Sequence, residues 1–238
     1  MSFEFLASDG AEGAVARSPM ERVAKAAGAR FEVRDGWSVA VDFAAGSSRA
    51  ATVSWTDTAH LSKLEIQASA ADLAAIVTRC AGGAELEFGR ASRASDAWWC
   101  PLTDQRAMVL CEPGVTSPLR EALEEAVADA PGLASLTEVT TVYAAMTISG
   151  PQAREVFARF CALDLREASM PVHGLRPGSV ARGPGIVLRE SEDRFLMLFG
   201  WALGEYMWTV VADAAEHLGG SPTGVESLAP LEEAVPRA

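Results

Sequence analysis

The 238-residue sequence predicts an α+β fold in which one strand–helix–strand–strand–helix (βαββα) unit occurs twice. Three observations carry this. A short alternating strand that runs straight into a helix occurs at Leu64–Ile66 and again at Met146–Ile148. A hairpin follows each of these helices, WWCPLTDQRAMVL at 98–110 and IVLRESEDRFLMLF at 186–199. Each hairpin leads to a second helix, and the two helices end alike, in AVADA (126–130) and VVADA (210–214). The copies are offset by roughly 82–89 residues. Their element order resembles a split βαβ, ferredoxin-like module, so the chain reads as two pseudo-duplicated ferredoxin-like units.

The elements follow in order. FEVRDGWSVAVDF (31–43) keeps Phe31, Val33, Trp37, Val39, Val41 and Phe43 in one phase. Asp35-Gly36 supplies a two-residue turn, which makes this an extra hairpin beside the first unit. In the first copy, Ser69 to Asp72 is a capping-box-like start, and Leu73, Ile76, Val77 and Cys80 share a helical face. The first hairpin turns at Thr103-Asp104-Gln105, and Ser117-Pro118 is the expected cap and first turn of the helix that follows. In the second copy, Ser149-Gly150-Pro151 opens a helix with Ala153, Val156, Phe157 and Phe160 on its apolar face. The second hairpin turns near Glu192-Asp193. Residues 81–96 and 167–185 read as long connections, of the kind that often hold function. The expected organisation is one domain over 17–218, with a first module over about 31–131 and a second over about 138–218. The ends 1–16 and 219–238 read as flexible, being small, polar or rich in Gly and Pro.

Composition narrows the function classes. Asp and Glu number 32 against 20 Lys and Arg, a formal charge of −12. Phosphate and anionic lipid require a basic surface, so nucleic acid and membrane are not expected partners. No apolar run is long enough to span a bilayer, and the N-terminus carries no signal-peptide pattern, so a cytoplasmic protein is expected. Cys80, Cys100, Cys111 and Cys161 lack C-x-x-C or zinc spacing and read as free, mostly buried thiols, with no metal site expected.

VSWTDTAHLSKLEIQ (53–67) is the densest polar stretch. His60 lies three residues from both Asp57 and Lys63, which allows an acid–base constellation. The same spacing also suits a histidine that merely bonds backbone ahead of a strand. Arg182 heads a Gly-rich turn, RGPG, that reads either as an anion contact or as a plain loop. One member of Trp98-Trp99 is expected in the core, the other against solvent or a partner. Trp201, Tyr206 and Trp208 give the last helix two aromatic faces, which suggests a partner interface.

These motifs resemble a known family. GWSVAVDF followed by WTDTAHLSKLEIQ is similar to the N-terminal stretch of glycine cleavage T-proteins, which have an Asp-x-Ser-His strand entry where this chain has Asp57-Thr58-Ala59-His60. TISGPQAREVFARFCALDLR (147–166) resembles the segment that opens the second half of that fold. Arg17-Ser18-Pro19, SGPQAREVF, CALDL and the Trp-bearing last helix look most like the gamma-subunit family of heterotetrameric sarcosine oxidase, over about residues 17–218. The resemblance implies a T-protein-like, folate-binding-type domain in one-carbon metabolism. It implies an accessory subunit of a folate-linked amine-oxidising or demethylating complex, with larger flavin-binding subunits as partners. Flavin and NAD then sit on those partners, and this chain binds no cofactor. The alternative is a stand-alone aminomethyl- or methyltransferase-like protein that holds tetrahydrofolate in a central cavity. The chain departs from the family in lacking its acidic segment in 81–97 and in shortening its second hairpin turn to Glu190–Asp193. In either case the resemblance puts 53–67 at the cavity edge, with Asp57 and His60 as ligand contacts. It assigns no catalytic residue.

Overall fold

The computed structural model describes residues 13–43, 52–84 and 86–228. In chain order these form β1 (Ala16–Arg17), α1 (Glu21–Ala26), β2 (Ala29–Arg34), β3 (Trp37–Phe43), β4 (Ser54–Asp57), β5 (Ser62–Gln67), α2 (Ala70–Cys80), β6 (Ser92–Ala94) and β7 (Ala97–Thr103). The chain continues with β8 (Arg106–Cys111), α3 (Pro113–Ala128), β9 (Ser135–Glu138), β10 (Tyr143–Ser149), α4 (Ala153–Ala158), β11 (Leu175–Val180), β12 (Gly183–Ser191) and β13 (Arg194–Gly200). A 3-10 turn (Trp201–Leu203), α5 (Gly204–Glu216), β14 (Ser221–Pro222) and a second 3-10 turn (Val225–Ser227) complete it.

The duplication is present, built as four layers. Of the three sheets among the described residues, the two that form these layers have the orders β6-β7-β8-β5-β9 and β11-β12-β13-β10-β4-β14, and the third, β1-β3-β2, is small. Alternation along the strands sorts the side chains. Leu64, Ile66, Trp99 and Val109 face Leu73, Ile76, Val77 and Leu123 of α2 and α3. Met146, Val187, Phe195 and Met197 face Val156, Phe157, Met207 and Val211 of α4 and α5. Trp98, Met108, Leu110, Ile186, Leu188, Leu196 and Leu198 fill the space between the sheets. The stack is therefore helices, sheet, sheet, helices. Among the described residues no helix is long and apolar enough to cross a membrane.

The halves exchange strands. β4 runs into β5 but pairs antiparallel with β10, and β9 runs into β10 but pairs antiparallel with β5. Linkers 58–61 and 139–142 cross where the sheets meet. Thr58 N–H donates to Ala145 O at 3.1 Å, and Val139 N–H donates to Lys63 O at 2.8 Å. The Thr140 hydroxyl accepts from Lys63 N–H at 3.1 Å. Because each half lends a strand to the other's sheet, β4 between β10 and β14 and β9 at the edge beside β5, neither can separate without breaking strand pairings.

Turn chemistry explains the hairpins. Asp35 (φ 48°) and Gly36 (φ 78°) both sit in the left-handed region that a tight two-residue turn needs. The hairpin they join, β2–β3, departs from its expected place beside the first half. Phe43 stacks on Trp208 at 6.3 Å, and Met20, Ala24 and Ala40 join the core of the second half. Two further expectations are corrected. Residues 167–185 are not one long connection, because β11 pairs with β12 through a turn at Ala181 (φ 46°) and Arg182 (φ 65°). Helix α3 starts at Pro113, not Ser117, because Glu112 is extended and Pro113 fits the first helical position, which leaves Pro118 inside the helix.

The expected loose ends fall partly on 1–12 and 229–238, outside the described residues. Residues 219–228 are built into the fold: β14 pairs with β4, and Gly224 lies so close to β3 that a Cβ there would overlap the Val41 carbonyl.

Candidate functional site

A cavity of about 370 Å³ opens beside the strand crossover. Linker 58–61 contributes Thr58, His60 and Leu61. Arg93, Trp98, Leu110 and Glu112 come from the first hairpin region, and Glu190 and Arg194 flank the turn of the second. Arg34 and Asp35 from the β2–β3 turn, with Val225 and Leu228 beyond β14, form the rim.

A β-bulge aims the central carboxylate. The register of β12 against β13 shifts between Arg189 and Ser191, and that of β7 against β8 shifts between Pro101 and Thr103. The two hairpins thus carry the same irregularity. The skipped residue is Leu102 in the first and Glu190 in the second, so only one of them presents a carboxylate. Glu190 is buried. Its Oε1 accepts from Trp98 Nε1 at 3.1 Å and its Oε2 from Arg194 Nε at 2.7 Å. Burial raises the Glu190 pKa against the opposing pull of Arg194 and Trp98.

Arg93 lies 5.5 Å from the Trp98 ring centre, and His173 meets the same indole edge-on at 5.1 Å. His60 Nε2 is 3.5 Å from Glu112 Oε2. That contact, with Arg194 and Arg93 nearby, holds the Glu112 carboxyl below its ordinary value despite its desolvation. The wall therefore alternates sign: Glu112 and Glu190 accept, while His60, Arg93 and Arg194 donate. These groups are largely paired with one another, so a small polar molecule would be held by their remaining donor and acceptor capacity.

The residues expected from sequence separate. His60 is on the wall. Asp57 is not: its Oδ1 accepts from Ala59 N–H at 3.0 Å, and the Ser18 hydroxyl also donates to its carboxylate. Beside it Lys63, fully buried, donates through Nζ to Ala59 O at 3.0 Å and Leu61 O at 2.6 Å. Burial raises the Asp57 pKa and pushes Lys63 down to about 7. Asp57 and Lys63 shape the loop that carries His60; they do not reach into the cavity.

Arg182 is exposed at the far tip of the β11–β12 hairpin, eight residues and roughly 25 Å along the strand from Glu190. It does not line the cavity. Of the three aromatic residues, Trp208 is core, 6% exposed and set edge-on to Trp55. It is unavailable as a partner surface. Tyr206 and Trp208 do lie on opposite faces of α5, but Trp201 lies on the 3-10 turn ahead of the helix and not on it. Trp201 is half-buried against Trp37 at 6.1 Å, and Tyr206 is 49% exposed with its hydroxyl donating to Ala181 O at 3.2 Å. Trp98 and Trp99 are both buried, one between the sheets and one under the helices.

Sequence reasoning missed Arg93, Glu112, Glu190 and Arg194. Glu190 and Arg194 stand either side of a two-residue turn, a detectable pairing, whereas the Trp98–Glu190 bond spans 92 positions and leaves no local trace. Among the described residues, no cluster of three or more His, Cys, Asp or Glu forms a metal site.

Comparison with known proteins places this geometry. The family model for the GCVT N-terminal domain matches residues 20–233. The fold is similar to a chain of a heterotetrameric sarcosine oxidase from Corynebacterium sp. U-96, solved with pyrrole 2-carboxylate. The identity there is 19% and the TM-score 0.65, over 85% of this chain and 96% of that one. It is also similar to the glycine cleavage system aminomethyltransferase T from Bartonella henselae, at 14% identity and a TM-score of 0.74 over 90% of this chain. This chain spans 61% of that aminomethyltransferase. No curated protein matches the sequence. The α+β architecture is the glycine cleavage T-protein-like fold.

Proposed function

The chain belongs to the GCVT N-terminal domain family, and from that premise we propose that it is an accessory subunit of a sarcosine-oxidase-like, folate-linked, amine-oxidising or demethylating complex. The observation that carries this reading is the overlay of 85% of this chain on one chain of a heterotetrameric oxidase at a TM-score of 0.65. The wall chemistry supports it: Glu190 spends both oxygens on Trp98 and Arg194, and Glu112 lies against His60. In this reading larger partner subunits carry flavin and NAD, and Trp201 and Tyr206 lie in the contact with them. His60 contacts whatever small molecule the cavity admits.

A second reading has one observation in its favour, the cavity itself within a fold that overlays an aminomethyltransferase at a TM-score of 0.74. There the chain acts alone and holds tetrahydrofolate. One experiment separates the two. The full chain is co-expressed with flavin-binding subunits of a sarcosine-oxidase-like complex, and separately heated with increasing tetrahydrofolate. We expect a stable co-migrating complex that Tyr206→Asp weakens at least tenfold. A chain that stays alone and shows a saturable rise in melting temperature with tetrahydrofolate moves the assignment to the second reading.

A further inference from the structure

The outer face of the second half carries another hollow, of about 400 Å³, between α4 and residues 161–166. Its floor is apolar, with Phe157 and Leu165 buried and Leu163 partly so. Arg154 stands at its edge. The Arg154 guanidinium lies 6.0 Å from the Phe195 ring centre, and its Nε is buried with no acceptor among the described residues.

Nearby side chains do not answer that N–H. Arg189, itself a cation, shares the Phe195 ring at 5.9 Å. The Arg189 donors go to the carbonyls of Met170, Ser191 and Glu192. Asp164 is bound by Arg166 at 2.6 Å and by the Ser169 hydroxyl at 2.6 Å. Glu155, which also lines the hollow, is exposed to solvent. A buried N–H without an acceptor is uncommon in native proteins, and the half-buried side chain that carries it lines the hollow, where an acceptor can approach its guanidinium. A second guanidinium close by favours an anionic acceptor.

We propose that this hollow binds a small amphipathic carboxylate, with the carboxylate on Arg154 and the hydrocarbon body on Phe157, Leu163 and Leu165. A monoanion fits better than phosphate, because the Arg189 donors are already spent and the floor offers only apolar contact. The same chemistry is available from a free short-chain acid or from an acidic side chain of a partner.

The test titrates the full chain by calorimetry with octanoate, with acetate and octylamine as controls. Saturable octanoate binding at about millimolar strength is expected, with acetate far weaker and octylamine silent. Arg154→Gln should weaken octanoate at least tenfold at an unchanged melting temperature, and Arg154→Lys should recover part of it. Binding of N-acetylglutamate methylamide as tight as octanoate assigns the acceptor to a partner's side chain; octanoate alone assigns it to a free acid. No saturable octanoate binding, or binding that Arg154→Gln and Arg154→Lys leave intact, overturns the site.

Discussion

Replacing Asp57 by Ala lowers the unfolding free energy by about 2–4 kcal/mol, the cost of leaving two buried donors without their acceptor. Lys63 adds to it, because its buried Nζ loses a nearby carboxylate and keeps only the Ala59 and Leu61 carbonyls. Ala59 N–H and the Ser18 hydroxyl lose their acceptor in the same step. Denaturant midpoints check this, and Asp57→Asn, which keeps a side-chain oxygen for Ala59 N–H, should lose less than Asp57→Ala. A midpoint within about 1 kcal/mol of the parent for Asp57→Ala would mean that water takes the place of the lost acceptor.

Lys63 also sets a pH dependence whose sign follows from linkage. Its folded value, about 7, lies below the unfolded lysine value of about 10.4. Between the two the unfolded chain binds a proton that the native chain does not, so stability rises with pH, by up to about 1.4 kcal/mol per unit. Above about pH 8.5 the cysteines oppose it. All four thiols are raised by burial, so they ionise first in the unfolded chain. Asp57 has the opposite sense on the acid side. Its raised value makes its contribution present below about pH 4 and lost as pH climbs through the folded value. The rise between pH 7 and about 8.5 should vanish in Lys63→Met. In Asp57→Ala it should begin at lower pH, because the carboxylate that lifts Lys63 is gone.

The hairpins, the cap at Ser69 and the repeat were legible because their causes are local. Asp35-Gly36 forces a turn by its backbone preferences alone, and Ser69 Oγ accepts from Asp72 N–H at 3.2 Å, as the sequence spacing implied. The strand exchange was not legible. Ser54–Asp57 is four residues long, and nothing in SWTD specifies whether its partner is β5 or β10. That choice is made by the tertiary fit of linkers 58–61 and 139–142. The site divides the same way. His60 was found because its polar neighbours are adjacent in sequence. Glu190 was passed over because a bulge that turns one residue out of an alternating strand is a property of the pairing, not of RES. Asp57 was found for a reason unrelated to the cavity. An acid three residues before a histidine looks the same whether it faces the ligand or caps the loop behind it.

The bulge that aims Glu190 is held by Arg189, and Arg189→Met is expected to cost about 3–4 kcal/mol. Arg189 is fully buried, and its guanidinium donates to Met170 O at 2.9 Å, Ser191 O at 3.3 Å and Glu192 O at 3.0 Å. Methionine keeps much of the volume and none of the donors. Ser191 and Glu192 border a solvent-facing turn, so water replaces part of what they lose. Met170 is buried, and its carbonyl is left unpaired, so most of the cost falls there. Lysine recovers little, since a point charge cannot reach three carbonyls as the planar guanidinium does. The effect extends to the cavity, because Arg189 N–H and O fasten the bulged strand to Gly174 and His173 at 2.9 and 2.8 Å. A loosened bulge moves Glu190 away from Trp98 Nε1, now 3.1 Å distant, and the indole N–H resonance of Trp98 reports that movement directly. A destabilised variant whose Trp98 resonance stays in place would separate the two roles: Arg189 would then support the fold, and Glu190 would be held by Trp98 and Arg194 alone.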